Sequence, residues 1–366
     1  QALVLAGGEG TRLRPLTLTT PKPVLPLAGR PFLSFMLDWL HRHGVDEAIL
    51  SLGFLSDAVH AVLGDIQSGM RLRYVHEDEP RGTAGPVRLA AEEGMLADRF
   101  LVINGDVLTD MDLTAELEQH ERTGAAGTLA LTEVDDVASY GVVPCDDEGR
   151  VLEFREKSPG PAPTNRINAG AYVLEQSVVD LIPTGRAVSF EREVFPQMVG
   201  NGLYGWGADG YWIDIGTPER YLEATGDLLA GRVESTLPER DQTGSLVYDG
   251  SVTNGAHIGP HAVVGSHCSV GPDAALERSV LFDRVVVGSD AVVRDSIIGA
   301  GARVGRGVRM QDAVIGDGAV IADDTTLEPG ARIDPGATAP DPAAGAADID
   351  APHPRERRPS DPDDST

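Results

Sequence analysis

Between residue 2 and about residue 230, short apolar runs alternate with longer stretches in which apolar residues return every three or four positions. The runs "ALVLAG", "EAILSLG", "RLRYVHE" and "FLVING" are too short for helices and read as strands buried in a sheet. "PFLSFMLDWLHRHG" carries helical spacing and ends at Gly44, and "DLTAELEQHERTG" predicts a helix capped by Asp112 and stopped by Gly124. Strand and helix in alternation predict an α/β domain over residues 1–235, with helices on both faces of its sheet. Ligands of such sheets bind beyond the carboxyl ends of the strands, so the loops after these runs are where chemistry is expected.

The period changes after about residue 245. Val252, Ile258, Val264, Val270 and Leu276 fall six apart, mostly followed by Gly and then by small or polar residues. A six-residue aliphatic step is the signature of a left-handed parallel β-helix, in which each step forms one side of a triangular coil and turns its aliphatic inward. Leu276, Val293 and Met310 then recur 17 apart, as though one side of each coil were a residue shorter. Linker and β-helix together are expected to fill residues 236–336; hairpins would not hold this phase so long. From residue 337 to 366 the chain is rich in Pro, Ala and Asp with almost no large apolar side chains, and it reads as a disordered tail.

Composition narrows the function classes. The net charge of −27 argues against binding nucleic acid or anionic membrane through the general surface. No apolar run approaches the roughly 18 residues that cross a bilayer, and the first residues read as a strand rather than a leader, so a cytoplasmic protein is expected. Cys145 and Cys268 are far apart and show no metal-ligand spacing. Against this acidic background the first 30 residues carry Arg12, Arg14, Lys22 and Arg30 with Glu9 alone opposing them. A positive cleft in a negative body suits a small anionic substrate.

Gly7, Gly8 and Gly10 directly follow the first strand, where glycines let backbone N–H groups converge on an anion. The loop is not a dinucleotide fingerprint, because Leu13 takes the place of the third glycine and Pro15, Pro21 and Pro23 forbid a long helix after it. Nor is it a Walker A loop, since the glycines lead to Thr11 and Arg12 instead of Gly-Lys-Ser/Thr. Lys22 and Lys157 are the only two lysines among 30 basic residues. An ammonium is a compact point charge that reaches one phosphate oxygen in a crowded place where a guanidinium fork does not fit.

"GGEGTRLRPLT" followed by "PKP" resembles the signature of the sugar-nucleotide pyrophosphorylases, or nucleotidylyltransferases. The resemblance continues in order through "NGDVL" at 104–108, "YGVV" at 140–143, "EFREKSP" at 153–159, "NAGAYV" at 168–173 and "WIDIGTPERY" at 212–221. A terminal β-helix is a common appendage in the same family. "LRPLT", "GTAG" and the short β-helix together are most similar to the members that join GTP to mannose 1-phosphate. The resemblance implies a Rossmann-like mixed-sheet nucleotidyltransferase domain followed by the β-helix. The implied reaction is in-line attack of a sugar 1-phosphate on the α-phosphorus of a nucleoside triphosphate, with pyrophosphate leaving. Two polyanions must meet, so catalysis is mainly positioning and charge neutralisation.

By the same resemblance the backbone of Gly7, Gly8, Gly10 and Thr11 holds the triphosphate, and Arg12 the departing β and γ oxygens. Lys22 bridges the α-phosphate and the incoming phosphate. Asp106 and Asp214 hold Mg²⁺, which accepts one or two carboxylates beside phosphate oxygens and water. Glu79, Gly82, Thr83 and Gly85 form the base loop, with helix capping as the plainer role for Thr83. Lys157 contacts the sugar phosphate, Glu156 and Asn168 bond sugar hydroxyls, and Gly141 and Gly170 let backbone approach the ring. Asp110 and Asp112 read as turn or cap residues instead.

Three alternatives stay open. The catalytic set would serve another triphosphate or another sugar 1-phosphate, such as glucose or heptose. The β-helix could carry acyl transfer, with His257, His261 or His267 as bases, although no long loop insertion shapes a coenzyme site. A non-catalytic regulatory homologue is the third. A homo-oligomer is expected, because a β-helix offers flat sides to a partner subunit or to its own catalytic domain. Every candidate residue precedes the β-helix, so the sequence predicts some residual turnover without it.

Overall fold

The computed structural model describes residues 1–53, 55–155, 162–253 and 255–339. Glu156, Lys157 and the tail beyond residue 339 lie outside them. The strands of the first domain are β1 (Ala2–Leu5), the hairpin β2 (Pro26–Leu27) and β3 (Arg30–Pro31), β4 (Glu47–Leu52), β5 (Ile66–Gln67), β6 (Met70–His76), β7 (Arg99–Asn104), β8 (Val107–Thr109), β9 (Gly127–Glu133), β10 (Arg166–Glu175), β11 (Leu203–Gly207) and β12 (Trp212–Asp214). The four apolar runs singled out above are β1, β4, β6 and β7. The main helices are α1 (Phe32–Arg42), α2 (Ser56–Leu63), α3 (Gly85–Glu92), α4 (Leu113–Thr123), the short α5 (Phe195–Met198) and α6 (Pro218–Ala230). Asp112 caps α4 by accepting from the N–H groups of Thr114 and Ala115, and Gly124 closes it in the left-handed conformation.

Eight strands form one mixed sheet in the order β11-β9-β10-β7-β1-β4-β6-β5. β1 lies parallel to β4 on one side and to β7 on the other, while β10 runs antiparallel to β7. The chain leaves β1 towards β4 and β6 and returns to its other side as β7. The strand order therefore reverses between β1 and β7, and a crevice opens at their carboxyl ends. Two apolar cores cover the two faces, one around Leu3, Phe100, Tyr172 and Phe195 and the other around Val4, Trp39, Leu50 and Ile103. Glu116 of α4 is fully buried with neither carboxyl oxygen bonded among the described residues, and burial pushes its pKa well up.

From Leu246 onward the chain makes a left-handed parallel β-helix, whose three sides are sheets of six, four and five short parallel strands. Leu276, Val293 and Met310 stack directly on one another, as their 17-residue spacing predicts. Val252 departs from the expectation: it pairs with Ser269 rather than Val270 and points outward, 52% exposed. The coil there closes after 17 residues, whereas three six-residue steps make 18, so the pattern counted backwards slips by one place. The last rung, Thr338–Ala339, pairs with Val320–Ile321. The β-helix thus includes residues 337–339, which the sequence reading gave to the tail.

One side of the coil faces the first domain. Its outward column is Leu246, Val263, Val280, Ile297 and Val314, each buried and each the register partner of the next. These residues share a core with Leu13, Leu16, Leu25, Leu27, Phe32 and Phe35, so the apolar side chains of the glycine-rich segment pack on the β-helix. Tyr248 adds a hydrogen bond to the Ala28 carbonyl at 2.7 Å.

Candidate active site

The signature segment leaves β1 and folds into three single turns of 3-10 helix, at Thr11–Leu13, Leu16–Leu18 and Lys22–Val24. Pro15, Pro21 and Pro23 remove the N–H donors a continuous helix would need. Gly10 takes a left-handed conformation, and its carbonyl accepts from the Thr17 hydroxyl at 2.9 Å, which folds the loop back over itself. The Lys22 stem lies against Gly10, where an added Cβ would stand 3.2 Å from Lys22 Cβ. Lys22 is consequently buried, 9% exposed, and its ammonium meets Asp106 Oδ2 at 3.0 Å.

Asp106 stands just after β7 and Asp214 at the end of β12. The pairing of β8 with β12 sets Asp214 opposite Val107, which brings the two aspartates to one wall from positions far apart in sequence. Two adjoining cavities meet at Asp106. The smaller, about 370 Å³, lies under the glycine loop and is lined by Gly8, Gly10, Thr11, Arg12 and Lys22. The larger, about 530 Å³, is lined by Gly82, Tyr140, Gly141, Asn168, Glu191, Trp212 and Asp214, among others. Arg12, Thr83, Asn104 and Asp106 belong to both. Tyr140 and Trp212 form an aromatic wall, edge to face with ring centres 5.5 Å apart. Burial, helped by the Asp214 carboxylate, pushes the Tyr140 phenol up against the opposing pull of Arg220 and Arg12, so it keeps its proton.

The expected residues do not all converge. Glu79 is exposed and lines neither cavity; the neighbouring Glu77 faces the loop, and a Cβ on Gly7 would stand 2.6 Å from its Oε1. Its two oxygens accept from the Ser51 hydroxyl at 2.6 Å and the Arg81 N–H at 3.0 Å. Gly85 begins α3 beneath the base loop and is fully covered. Thr83 caps nothing: its hydroxyl donates to Glu191 Oε2 at 2.7 Å and accepts from the Phe190 N–H. Gly170, at φ +76°, makes room for the Asn104 side chain rather than for a sugar ring, since a Cβ there would lie 2.6 Å from Asn104 Nδ2. Asp110 is a turn residue, accepting from the N–H groups of Tyr211 and Glu234.

Asn104 and Glu191 were not singled out from sequence. Asn104 Oδ1 is buried without a donor among the described residues, at the junction of both cavities. "NGDVL" contains it, and its place directly at the end of an apolar strand was the available signal. Glu191 lies in a single π-helical turn, Phe190–Val194, a distortion frequent at functional sites. Nothing local in "SFEREVF" marks it.

Residues 1–231 match the family model described as Nucleotidyl transferase. The chain belongs to the nucleotidyl transferase family. Residues 246–337 of this nucleotidyl transferase match the GMPPB C-terminal domain. Mannose-1-phosphate guanylyltransferase of Mycobacterium tuberculosis is 43% identical over 276 residues, covering 71% of this chain and 76% of the relative. The catalytic subunit beta of mannose-1-phosphate guanylyltransferase from Danio rerio is 38% identical over 251 residues, or 67% and 68% of the two chains. Among solved structures, HddC from Yersinia pseudotuberculosis complexed with GMP-PN superposes with a TM-score of 0.53 at 33% identity, covering 61% of this chain and 96% of that one.

In this nucleotidyl transferase the guanidinium of Arg12 lies against Gly216 of the "WIDIGTPERY" segment, where a Cβ would come within 2.8 Å of Arg12 Cζ. Gly216→Ala is therefore expected to push the guanidinium aside while the fold, yielding only at a side-chain end, keeps its melting temperature. Turnover should fall about tenfold or more, in line with the cost of misplacing a positioning group. Unaltered kinetics in a normally folded variant would remove Arg12 from the chemistry.

Proposed function

We propose that the chain joins GTP to mannose 1-phosphate, releasing pyrophosphate and giving GDP-mannose. The observation that carries this reading is the buried Lys22 ammonium on Asp106, at the wall shared by the two cavities. The relatives named mannose-1-phosphate guanylyltransferase, and the neighbour crystallised with GMP-PN, favour this triphosphate and this sugar.

A sugar-phosphate oxygen attacks the α-phosphorus as the bond to the β-phosphate oxygen breaks, and the electron pair leaves with pyrophosphate. Lys22 neutralises the crowded centre, Arg12 the leaving group, and the loop N–H groups hold the triphosphate. Gly82 and Thr83 of the loop expected to hold the base line the larger cavity, whereas Glu77 and Glu79 line neither. Asn104 Oδ1, without a donor among the described residues, is placed to accept from a substrate hydroxyl. Asn168 lines the larger cavity on the sugar side.

Asp106 and Asp214 would hold Mg²⁺. The donor set fits, with two carboxylates on one cavity wall and space beyond them for phosphate oxygens and water. Bound there, the ion would supply further positive charge to the α-phosphate. Asp106→Asn and Asp214→Asn should each raise the Mg²⁺ concentration for half-maximal rate at least about tenfold, since even outer partners of metal ligands cost that much. Unchanged metal titrations in both would put the ion elsewhere.

A panel of triphosphates crossed with sugar 1-phosphates, read by pyrophosphate release, tests the reaction. GTP with mannose 1-phosphate is expected to have the highest kcat/KM. A better pair would overturn the specificity, and no release with any pair would overturn the activity. A cytoplasmic homo-oligomer is part of the same proposal; light scattering reads the assembly.

A further inference from the structure

The outward column of the β-helix that faces the first domain is aliphatic on five successive rungs, from Leu246 to Val314. On the sixth rung the register partner of Val314 is Arg332. Both positions of the "VI" pair are apolar at Val314–Ile315, whereas the next rung reads "RI". The break falls where the column reaches the phosphate loop. Arg332 Nη1 donates to the Arg12 carbonyl at 3.1 Å and also to the Arg14 carbonyl. On the neighbouring turn Asp317 is bound at both oxygens: Oδ1 accepts from the Ala300 N–H within the coil at 2.7 Å, and Oδ2 accepts from the Thr19 hydroxyl at 2.7 Å.

We propose that Arg332, with Asp317 beside it, is a positioning residue of the nucleotide site, supplied by the β-helix to fix the backbone from which Arg12 projects. The proposal rests on the phosphate role assigned to Arg12 above. The Thr11–Leu13 turn ends with carbonyls that have no partners inside so short a helix, and a guanidinium can span two of them. Leu13 and Leu16 anchor the underside of the loop in the apolar seam, but a seam of aliphatics fixes position less sharply than directional bonds do. Arg332 supplies those bonds at Arg12 and Arg14, and Asp317 at Thr19. The rim contacts are exposed and add little to stability, so their effect is expected in geometry rather than in the melting temperature.

The test compares Arg332→Ala, Arg332→Lys and Thr19→Val with Arg303→Ala, an exposed arginine on another side of the coil. Initial rates are measured by pyrophosphate release against GTP and mannose 1-phosphate separately. Arg332→Ala should lower kcat/KM for GTP by about 10-fold to 100-fold, the range for a displaced positioning group, while KM for mannose 1-phosphate stays within about twofold. Arg332→Lys should recover part of the loss, Thr19→Val should show a smaller loss of the same kind, and Arg303→Ala none. Melting temperatures of all four should match the wild type. Equal losses towards both substrates, or losses that follow a lowered melting temperature, would make Arg332 merely structural; unchanged GTP kinetics would overturn the proposal outright. A wild-type chain that releases no pyrophosphate would instead sink the proposed reaction, which keeps the two failures apart.

Discussion

Lys22→Arg is expected to lose turnover by on the order of 100-fold or more, comparable with removing a group that stabilises the transition-state charge, while the protein folds normally. The charge is conserved, so electrostatics alone predicts a mild effect. Geometry predicts otherwise. Lys22 runs from its 3-10 turn beneath Gly10 with its side chain only 11% exposed, and its tip already touches Asp106. A guanidinium is wider and planar, and it has to push past Gly10 or turn away from Asp106. Either way the charge no longer sits where two phosphates are proposed to meet. Stopped assays with a parallel thermal melt decide the matter. A folded variant with near wild-type turnover would show that this lysine serves only to pair Asp106.

Removing residues 241–366 is expected to abolish activity and to leave an unstable or aggregating first domain. The sequence favoured residual turnover, because every candidate residue precedes the β-helix. The structure reverses that expectation. Leu13, Leu16, Leu25, Leu27 and Phe32 of the loop segment are fully buried in a core they share with Leu246, Val263, Val280, Ile297 and Val314. Exposing even a few such side chains costs about 1.5–3 kcal/mol each. That sum approaches the roughly 5–15 kcal/mol by which domains are stable at all. Circular dichroism and pyrophosphate release on the shortened chain test both halves. A soluble, active fragment would show that the first domain closes its own surface.

Local signals were legible in the sequence and juxtapositions were not. β1, β4, β6 and β7 announce themselves by short apolar runs, and α4 by its Asp112 cap and Gly124 stop, because each depends on neighbours a few residues away. Lys22, Asp106 and Asp214, which the structure brings to one place, could be singled out because they lie in contiguous segments with a recognisable order. Glu191 is 108 residues from Thr83, whose hydroxyl it accepts, and no local pattern encodes that meeting. Within "HEDEP" two glutamates stand two residues apart, and composition alone does not say that Glu77 rather than Glu79 is the one that meets the glycine loop. Val252 illustrates the limit of periodicity, since a coil of 17 residues and three steps of six differ by one, and one residue turns a side chain inside out.

The aliphatic column of the coil and the underside of the loop have a consequence for ancestry. Two surfaces packed into one core constrain one another's substitutions, so the halves of this chain are expected to be inherited as a pair. A hybrid that joined residues 1–235 to the β-helix of a distant relative would keep every residue proposed to touch substrate and still set its phosphate loop on a foreign bed. Substitutions at Leu13 or Leu16 would then be tolerated or refused according to what the distant rungs at Ile297 and Val314 carry. Exchange of parts between lineages is most readily survived where the donor brings both sides of that seam.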